Sequence, residues 1–163
     1  MVFKMDYESI VSEIERLFKD TKFATLATAD KSGAPAIGQM CLISDGLTIY
    51  MQTYDRFEKV GNIRENPYVA INIGKSNFKG TAQITGHPSA NAWFVSEMEE
   101  KLPLKRKQYT DLPDQLLIKI TLTSCRQWRK FDDAGLKVGM LCVDFVNKTV
   151  DSVVVDRMEG DSR

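Results

Sequence analysis

Residues 47–73 read LTIYMQTYDRFEKVGNIRENPYVAINI, and this stretch decides the fold. Its first residues alternate between apolar and polar with a period of two, which is typical of a half-buried β-strand. One face of this strand consists of Leu47, Ile49, Met51 and Thr53. A short helix follows, for which Asp55 is a candidate N-cap and Glu58 a capping-box acid. The Asn66-Pro67 pair ends the helix, because the residue before a proline avoids the α region, and a second strand comes after it.

The junction between this strand and the helix is a candidate anion site. A helix start presents unpaired backbone N–H groups and a partial positive charge, which together suit a phosphate group. Thr53 adds a hydroxyl donor, and Arg56 and Lys59 can add charge-assisted hydrogen bonds. The alternative is a self-contained helix start, in which Asp55 and Glu58 satisfy the same N–H groups and the basic side chains are only solvated. The residues alone leave both interpretations open.

Composition limits the classes of function. The 163 residues suit a single domain, 1–163, and the 22 basic residues balance the 22 acidic ones, so no general charge favours nucleic acid or an anionic membrane. We expect a cytoplasmic protein, because no apolar run matches a signal peptide or a membrane span. The single histidine, His87, and three widely spaced cysteines do not form a metal-ligand pattern.

The remaining patterns predict further short strands and a few helices. A helix is expected from an Asp6 cap to about Lys19, and a second one opens near Pro88. The basic residues at 101–107 are interpreted as solvated surface. Expected strands lie at 23–29, 36–43, 81–85 and 116–123, with a loop at 74–80 and a C-terminal hairpin extension at about 139–156. Many short strands without regular βαβ alternation predict an α+β, mainly β domain built around a barrel.

Three segments carry a family resemblance through their order and spacing. They are FATLATADKSGAPAIGQMCLISDG at 23–46, LTIYMQT at 47–53 and KVGNIRENP at 59–67, which leads into VAINIG. Together they resemble the opening of the flavin-binding split barrel of the pyridoxamine 5'-phosphate oxidase-like family. The resemblance implies a split β-barrel of six or more antiparallel strands with flanking helices.

In that family FMN lies at the interface of a homodimer, so the resemblance implies the same cofactor and the same partner here. The phosphate-binding roles fall on Thr53 and Lys59, with Gln52 beside Thr53 and Arg56 as a nearby charge. The flavin ring would lie along the second strand and contact its backbone. The other positions implied to contact the cofactor are Gln39, Met40, Cys41 and Leu42 on that strand, Thr81 or Gln83 on the fifth strand, and Trp128, which would cover the flavin edge of the partner subunit. The alternative for Trp128 is an aromatic side chain at the rim, stacked on Arg126 or Arg129.

Departures from the family pattern narrow the implied activity. Ile37 and Leu42 stand where pyridoxamine phosphate oxidases carry Arg and Lys, and Glu58 replaces the basic residue before Lys59. Each lost cation would weaken phosphate binding by about 1–3 kcal/mol unless another group replaces it. The resemblance therefore favours an FMN-dependent oxidoreductase that acts on an unknown small molecule, with a nicotinamide as candidate electron donor, over true pyridoxamine phosphate oxidation.

Two other functions fit the same scaffold. One is a non-catalytic protein that stores or senses flavin or haem. For haem the candidate axial ligands are His87, Met40 and Cys41. The other is a dimeric interaction module without a ligand.

Overall fold

The computed structural model describes residues 5–158, and the two ends of the predicted domain, 1–4 and 159–163, lie outside the described residues. The helices are α1 (Tyr7–Asp20), α2 (Glu58–Glu65), α3 (Ala92–Lys101) and the single turn α4 (Pro103–Lys105), which continues into a π-helical turn at Arg106–Thr110. The strands are β1 (Phe23–Ala29), β2 (Pro35–Cys41), β3 (Ile43–Asp45), β4 (Thr48–Tyr54), β5 (Tyr68–Ile73), β6 (Ser76–Ile84), β7 (Gln115–Lys130), β8 (Lys137–Asp144) and β9 (Thr149–Asp156). None of the helices within 5–158 is both long and apolar enough to cross a membrane.

The strands described form one antiparallel sheet in the order β2-β1-β5-β6-β7-β4-β3. The long strand β7 pairs with β4 along its first half and with β8 along its second half, and β9 pairs with β8. The sheet curls so that its edge strand β2 comes near β4, without a hydrogen-bonded ladder between the two strands in the described residues. This is the predicted α+β, mainly β split barrel, with an open seam between β2 and β4.

The main core lies between the inner face of the sheet and α1. Asp6 caps α1 as predicted, since its carboxylate accepts a hydrogen bond from the Ser9 amide at 3.2 Å. The buried face of this helix carries Ile10, Ile14 and Phe18. Phe18 meets Phe78 of β6 edge to face, with ring centroids 5.0 Å apart. Helix α1 therefore covers the inner face of the sheet with its buried side and leaves its other side to solvent.

Two predicted strand boundaries are wrong. The expected loop at 74–80 is a tight turn at Gly74, whose φ of +57° suits glycine, and β6 already begins at Ser76. The expected strand 36–43 ends at Cys41, and Ile43 starts a separate strand that pairs with β4. The C-terminal hairpin formed by β8 and β9 runs from 137 to 156, and it extends the sheet as a continuation of β7.

Candidate functional site

A cavity of about 290 Å³ opens at the seam where β2 faces the end of β4. The start of α2, the segment after α3 and the first residue of β7 contribute the remaining walls. Six predicted site residues line it: Gln39, Met40, Cys41, Gln52, Thr53 and Lys59. Six others were not predicted: Phe23, Tyr54, Phe57, Lys105, Tyr109 and Gln115.

The β2 wall of the cavity presents a free strand edge. In an antiparallel pair, successive residues alternate between bonding the neighbouring strand and pointing their backbone groups away from it. The amide of Leu42 donates to the carbonyl of Lys22 at 3.0 Å, which fixes the phase of this alternation. Met40 therefore bonds to β1, whereas the N–H and C=O groups of Gln39 and Cys41 point to the open edge. Backbone donors and acceptors are thus available to a ligand along β2.

The junction between β4 and α2 leaves some of its polar groups without a partner in the described residues. Thr53 is only 5% exposed, and its hydroxyl makes no hydrogen bond within residues 5–158. The predicted capping box is wrong, because α2 begins at Glu58 after an N-cap at Phe57 that provides no side-chain bond. Asp55 instead donates its amide to the carbonyl of Asp114 at 2.9 Å. Within this helix start the amide of Val60 donates to the carbonyl of Phe57 at 2.9 Å, and no side chain of Asp55 or Glu58 caps it, so the N–H groups of Glu58 and Lys59 stay available.

Lys59 is the cation at this junction. Its ammonium lies 4.9 Å from the centroid of the Phe57 ring, and it has no ion pair or hydrogen bond among the described residues. Burial lowers the pKa of Lys59, although the charge of Glu58 opposes that shift. A half-buried cation without an ion pair favours an anionic ligand, because an anion would recover part of the lost solvation.

Buried polar residues bring the 103–110 segment and β7 against β4. The Thr110 hydroxyl donates to the side-chain carbonyl of Gln52 at 3.0 Å. Gln115 pairs with Tyr54 and is 2% exposed, and its side-chain amide nitrogen is buried without a hydrogen-bond partner in the described part of the chain. A buried donor left unpaired costs about 1–3 kcal/mol, so an acceptor in the cavity would stabilise it.

Five predicted residues do not line this cavity. Leu42 is fully buried, and its carbonyl accepts a hydrogen bond from Lys101 Nζ at 2.9 Å, so neither its side chain nor its backbone is available. Arg56 points outward and pairs with Asp114 at 2.8 Å. The other three, which lie on β6 and β7 away from the seam, are Thr81, Gln83 and Trp128.

The candidate haem ligand His87 is committed to protein contacts. Its Nε2 lies 2.7 Å from the carbonyl of Leu112, and its Nδ1 accepts from the amide of Ser89 at 3.2 Å. Because a carbonyl only accepts, the proton lies on Nε2 and neither nitrogen is free to bind iron. Within residues 5–158, no group of three or more His, Cys, Asp or Glu side chains could hold a metal ion.

An antiparallel split barrel with a cavity at its open seam defines the class of fold. Within this class, the chain matches the model of the family described as Pyridoxamine 5'-phosphate oxidase over residues 10–129. The chain belongs to this family. No curated protein matches the sequence.

Solved structures share the fold. A protein from Clostridium acetobutylicum, related to general stress protein 26 and of the pyridoxinephosphate oxidase family, has 18% identity and a TM-score of 0.62, over 89% of this chain and 100% of its own. HutZ, the heme storage protein from Vibrio cholerae, has 17% identity and a TM-score of 0.59, over 72% of this chain and 91% of its own. ChuZ from Campylobacter jejuni has 16% identity and a TM-score of 0.70, over 92% of this chain and 64% of its own. These similarities establish the fold.

Proposed function

We propose that this chain is an FMN-binding flavoprotein and an oxidoreductase acting on a small molecule. The observation that carries the proposal is the cavity at the seam. It combines Lys59 without an ion pair, a free Thr53 hydroxyl and a helix start without a side-chain cap with the open edge of β2. These are the parts that an elongated ligand with a phosphate at one end and a planar polar ring at the other requires.

The phosphate would be held at the junction of β4 and α2. Lys59 would supply the charge, the Thr53 hydroxyl would donate a hydrogen bond, and the first N–H groups of α2 would complete the set. The ring would lie along β2, with the backbone groups of Gln39 and Cys41 as its partners. Backbone recognition tolerates the apolar side chains that this strand carries.

When bound, FMN supplies the electron-transfer chemistry, and the chain's residues bind, orient and exclude water. The rings of Phe23, Phe57 and Tyr109 provide apolar walls that would shield the ligand. Burial raises the pKa of the Cys41 thiol, which therefore stays protonated near neutral pH and does not act as a thiolate. No side chain in the cavity is assigned as a general acid or base.

Oxidation of pyridoxamine phosphate itself is disfavoured. Ile37 is 77% exposed and Leu42 fully buried, so the two positions that carry cations in those oxidases provide no charge here. A different small substrate, with a nicotinamide as the electron donor, is the proposed alternative.

A homodimer accompanies this proposal. By strand register, Ile37, Tyr68, Thr81, Gln83 and Trp128 share the outer face of the sheet, and Ile37 and Tyr68 are among its most exposed apolar side chains. A second copy packed on this face would cover these apolar residues and bring Thr81, Gln83 and Trp128 towards the cavity of the other subunit. Sedimentation analysis should give twice the chain mass, and a monomer at micromolar concentration would contradict the dimer. The cytoplasmic location remains a prediction from the sequence.

The absorbance spectrum of the purified protein tests the cofactor. A yellow protein that releases FMN on denaturation supports the proposal, and a colourless protein that ignores added FMN rejects it. Mixing the FMN-loaded protein with a reduced nicotinamide under anaerobic conditions then separates the two flavin roles. Bleaching of the flavin supports an oxidoreductase, and flavin that stays oxidised supports storage.

The second candidate is a non-catalytic haem-binding protein, favoured by the fold shared with HutZ. With His87 committed to Leu112 and Ser89, the remaining ligands are Met40, which is buried, and the half-buried Cys41. A haem titration that shows a Soret shift in the wild type and none in Cys41→Ala would support this function. An unchanged haem spectrum would reject it.

A further inference from the structure

Lys105 is a second cation in the cavity, and the family motif does not account for it. It lies at the end of α4, next to the π-helical turn 106–110. A hydrogen bond from Thr110 to Gln52 connects that turn to β4. Its ammonium is 5.3 Å from the centroid of the Tyr109 ring, which lines the same cavity. The charge of Lys105 also counteracts the burial that raises the pKa of Cys41, which indicates that this charge reaches the β2 wall.

Two of the three basic residues around Lys105 are engaged in polar contacts, whereas Lys105 is not. Lys101 donates to the carbonyls of Phe18 and Leu42, and Arg106 forms an ion pair with Asp111 at 2.7 Å. Lys105 has no ion pair or hydrogen bond in the described part of the chain. The interpretation of 101–107 as ordinary solvated surface is therefore wrong for Lys101 and Arg106.

The two positive charges of the cavity complement the two negative charges of a dianion. Lys59 and Lys105 both line it, and no carboxylate does among the residues described. Two cations at one cavity attract an anion more strongly than either of them does alone. A phosphate monoester carries close to two negative charges at neutral pH, and its oxygens accept several hydrogen bonds. The unpaired side-chain amide of Gln115 is a third donor at the same place.

We propose that Lys105 is a phosphate-binding residue that replaces the cations missing at Ile37 and Leu42. The inference rests on the proposed FMN function, and it assigns the phosphate end of the ligand to Thr53, Lys59 and Lys105 together. The second cation then comes from the segment after α3 instead of from β2. This arrangement retains a two-cation phosphate site without basic residues on the strand that faces the ring.

The test compares the affinities of FMN and riboflavin, which differ only by the phosphate. Lys105→Met should weaken FMN binding by about tenfold or more, as expected for the loss of one charge-assisted contact. Riboflavin affinity should stay within about threefold, because riboflavin has no phosphate for Lys105 to bind. Fluorescence quenching of either flavin measures both constants, and Lys105→Arg should recover most of the FMN affinity.

Lys107→Met is the matched control, because Lys107 is exposed, lies two residues away and does not line the cavity. Melting curves without flavin should be alike for Lys105→Met, Lys107→Met and the wild type. An FMN affinity in Lys105→Met equal to that of Lys107→Met overturns the inference but leaves the proposed function intact. A parallel loss of FMN and riboflavin affinity in Lys105→Met also overturns the inference and leaves the proposed function intact. A wild-type protein that binds no FMN overturns both.

Discussion

The buried pair formed by Thr28 and Asn62 gives the sharpest prediction about stability. Asn62 of α2 donates its side-chain amide to the Thr28 hydroxyl of β1 at 3.1 Å, and the two residues are 7% and 4% exposed. Thr28→Val keeps the shape of the side chain and removes the acceptor, so the Asn62 amide is left buried and unpaired. We expect the free energy of unfolding to fall by about 1–3 kcal/mol. For a chain of this length the loss corresponds to a drop in Tm of roughly 2–12 °C.

Urea denaturation followed by circular dichroism measures this loss, and the m-value should not change. Thr25→Val is the control, because Thr25 lies on the same strand, is half-buried and makes no side-chain hydrogen bond in the described residues. It should shift stability by no more than about 0.5 kcal/mol. The double variant Thr28→Val/Asn62→Leu should cost less than the sum of its two single variants, because no polar group then remains unpaired. Equal stabilities of Thr28→Val and Thr25→Val would refute the reasoning. Since α2 carries Lys59, this pair also holds the proposed phosphate site in place.

Three further predictions concern backbone crowding, pH and a buried cation. A Cβ at Gly80 would lie 2.4 Å from the Thr121 carbonyl oxygen, so Gly80→Ala should destabilise the protein by about 1–3 kcal/mol in urea denaturation. Gly61 of α2 has open space around it, so Gly61→Ala should instead stabilise the protein by up to about 1 kcal/mol. Burial raises the pKa of Cys125 from 9.0 to about 12, so the folded thiol keeps a proton that the unfolded thiol has lost. The contribution of the Cys125 thiol to the free energy of unfolding is complete below pH 9 and falls as the pH rises towards 12, by up to about 1.4 kcal/mol per pH unit. Cys125→Ala should remove this part of the pH dependence in denaturation measured across that range. Lys101→Met removes the donor from the carbonyls of Phe18 and Leu42 and should cost about 1–3 kcal/mol in the same assay, against no measurable loss in Lys107→Met.

Local patterns predicted the parts of the fold that depend on neighbouring residues. The period-two alternation gave β4, and Asn66-Pro67 gave the end of α2, because both signals act within a few residues. The first half of β6 was missed for the opposite reason. Its buried positions carry Ser76, Phe78 and Gly80, and two of these are too small or polar to show the alternation. The sequence therefore predicted a loop where the structure has a strand.

The start of α2 was misplaced because a distant contact overrides the local signal. Asp55 has the chemistry of an N-cap, but its amide is bound by the carbonyl of Asp114, 59 positions further along the chain. That contact holds Asp55 in the turn, and α2 begins three residues later. The contact with Asp114, and not the capping propensity of Asp55, therefore sets the start of α2.

The cavity could be predicted only in part. Thr53, Lys59 and the β2 residues belong to a continuous motif, so their proximity follows from one hairpin and one helix. Lys105, Tyr109 and Gln115 come from a segment about 50 residues away, and only the folded sheet places that segment against β4. A basic run gave a weak signal for Lys105, and nothing in the sequence singled out Gln115.

A titration with FMN tests the central claim, that the junction of β4 and α2 binds the phosphate of a flavin nucleotide. The wild type should bind one FMN per chain, and Thr53→Ala/Lys59→Met should lose at least about tenfold in affinity. Arg56→Met should bind as the wild type does, because Arg56 lies outside the cavity and pairs with Asp114. A wild type without FMN binding, or a double variant that binds FMN as tightly as Arg56→Met, would contradict the account.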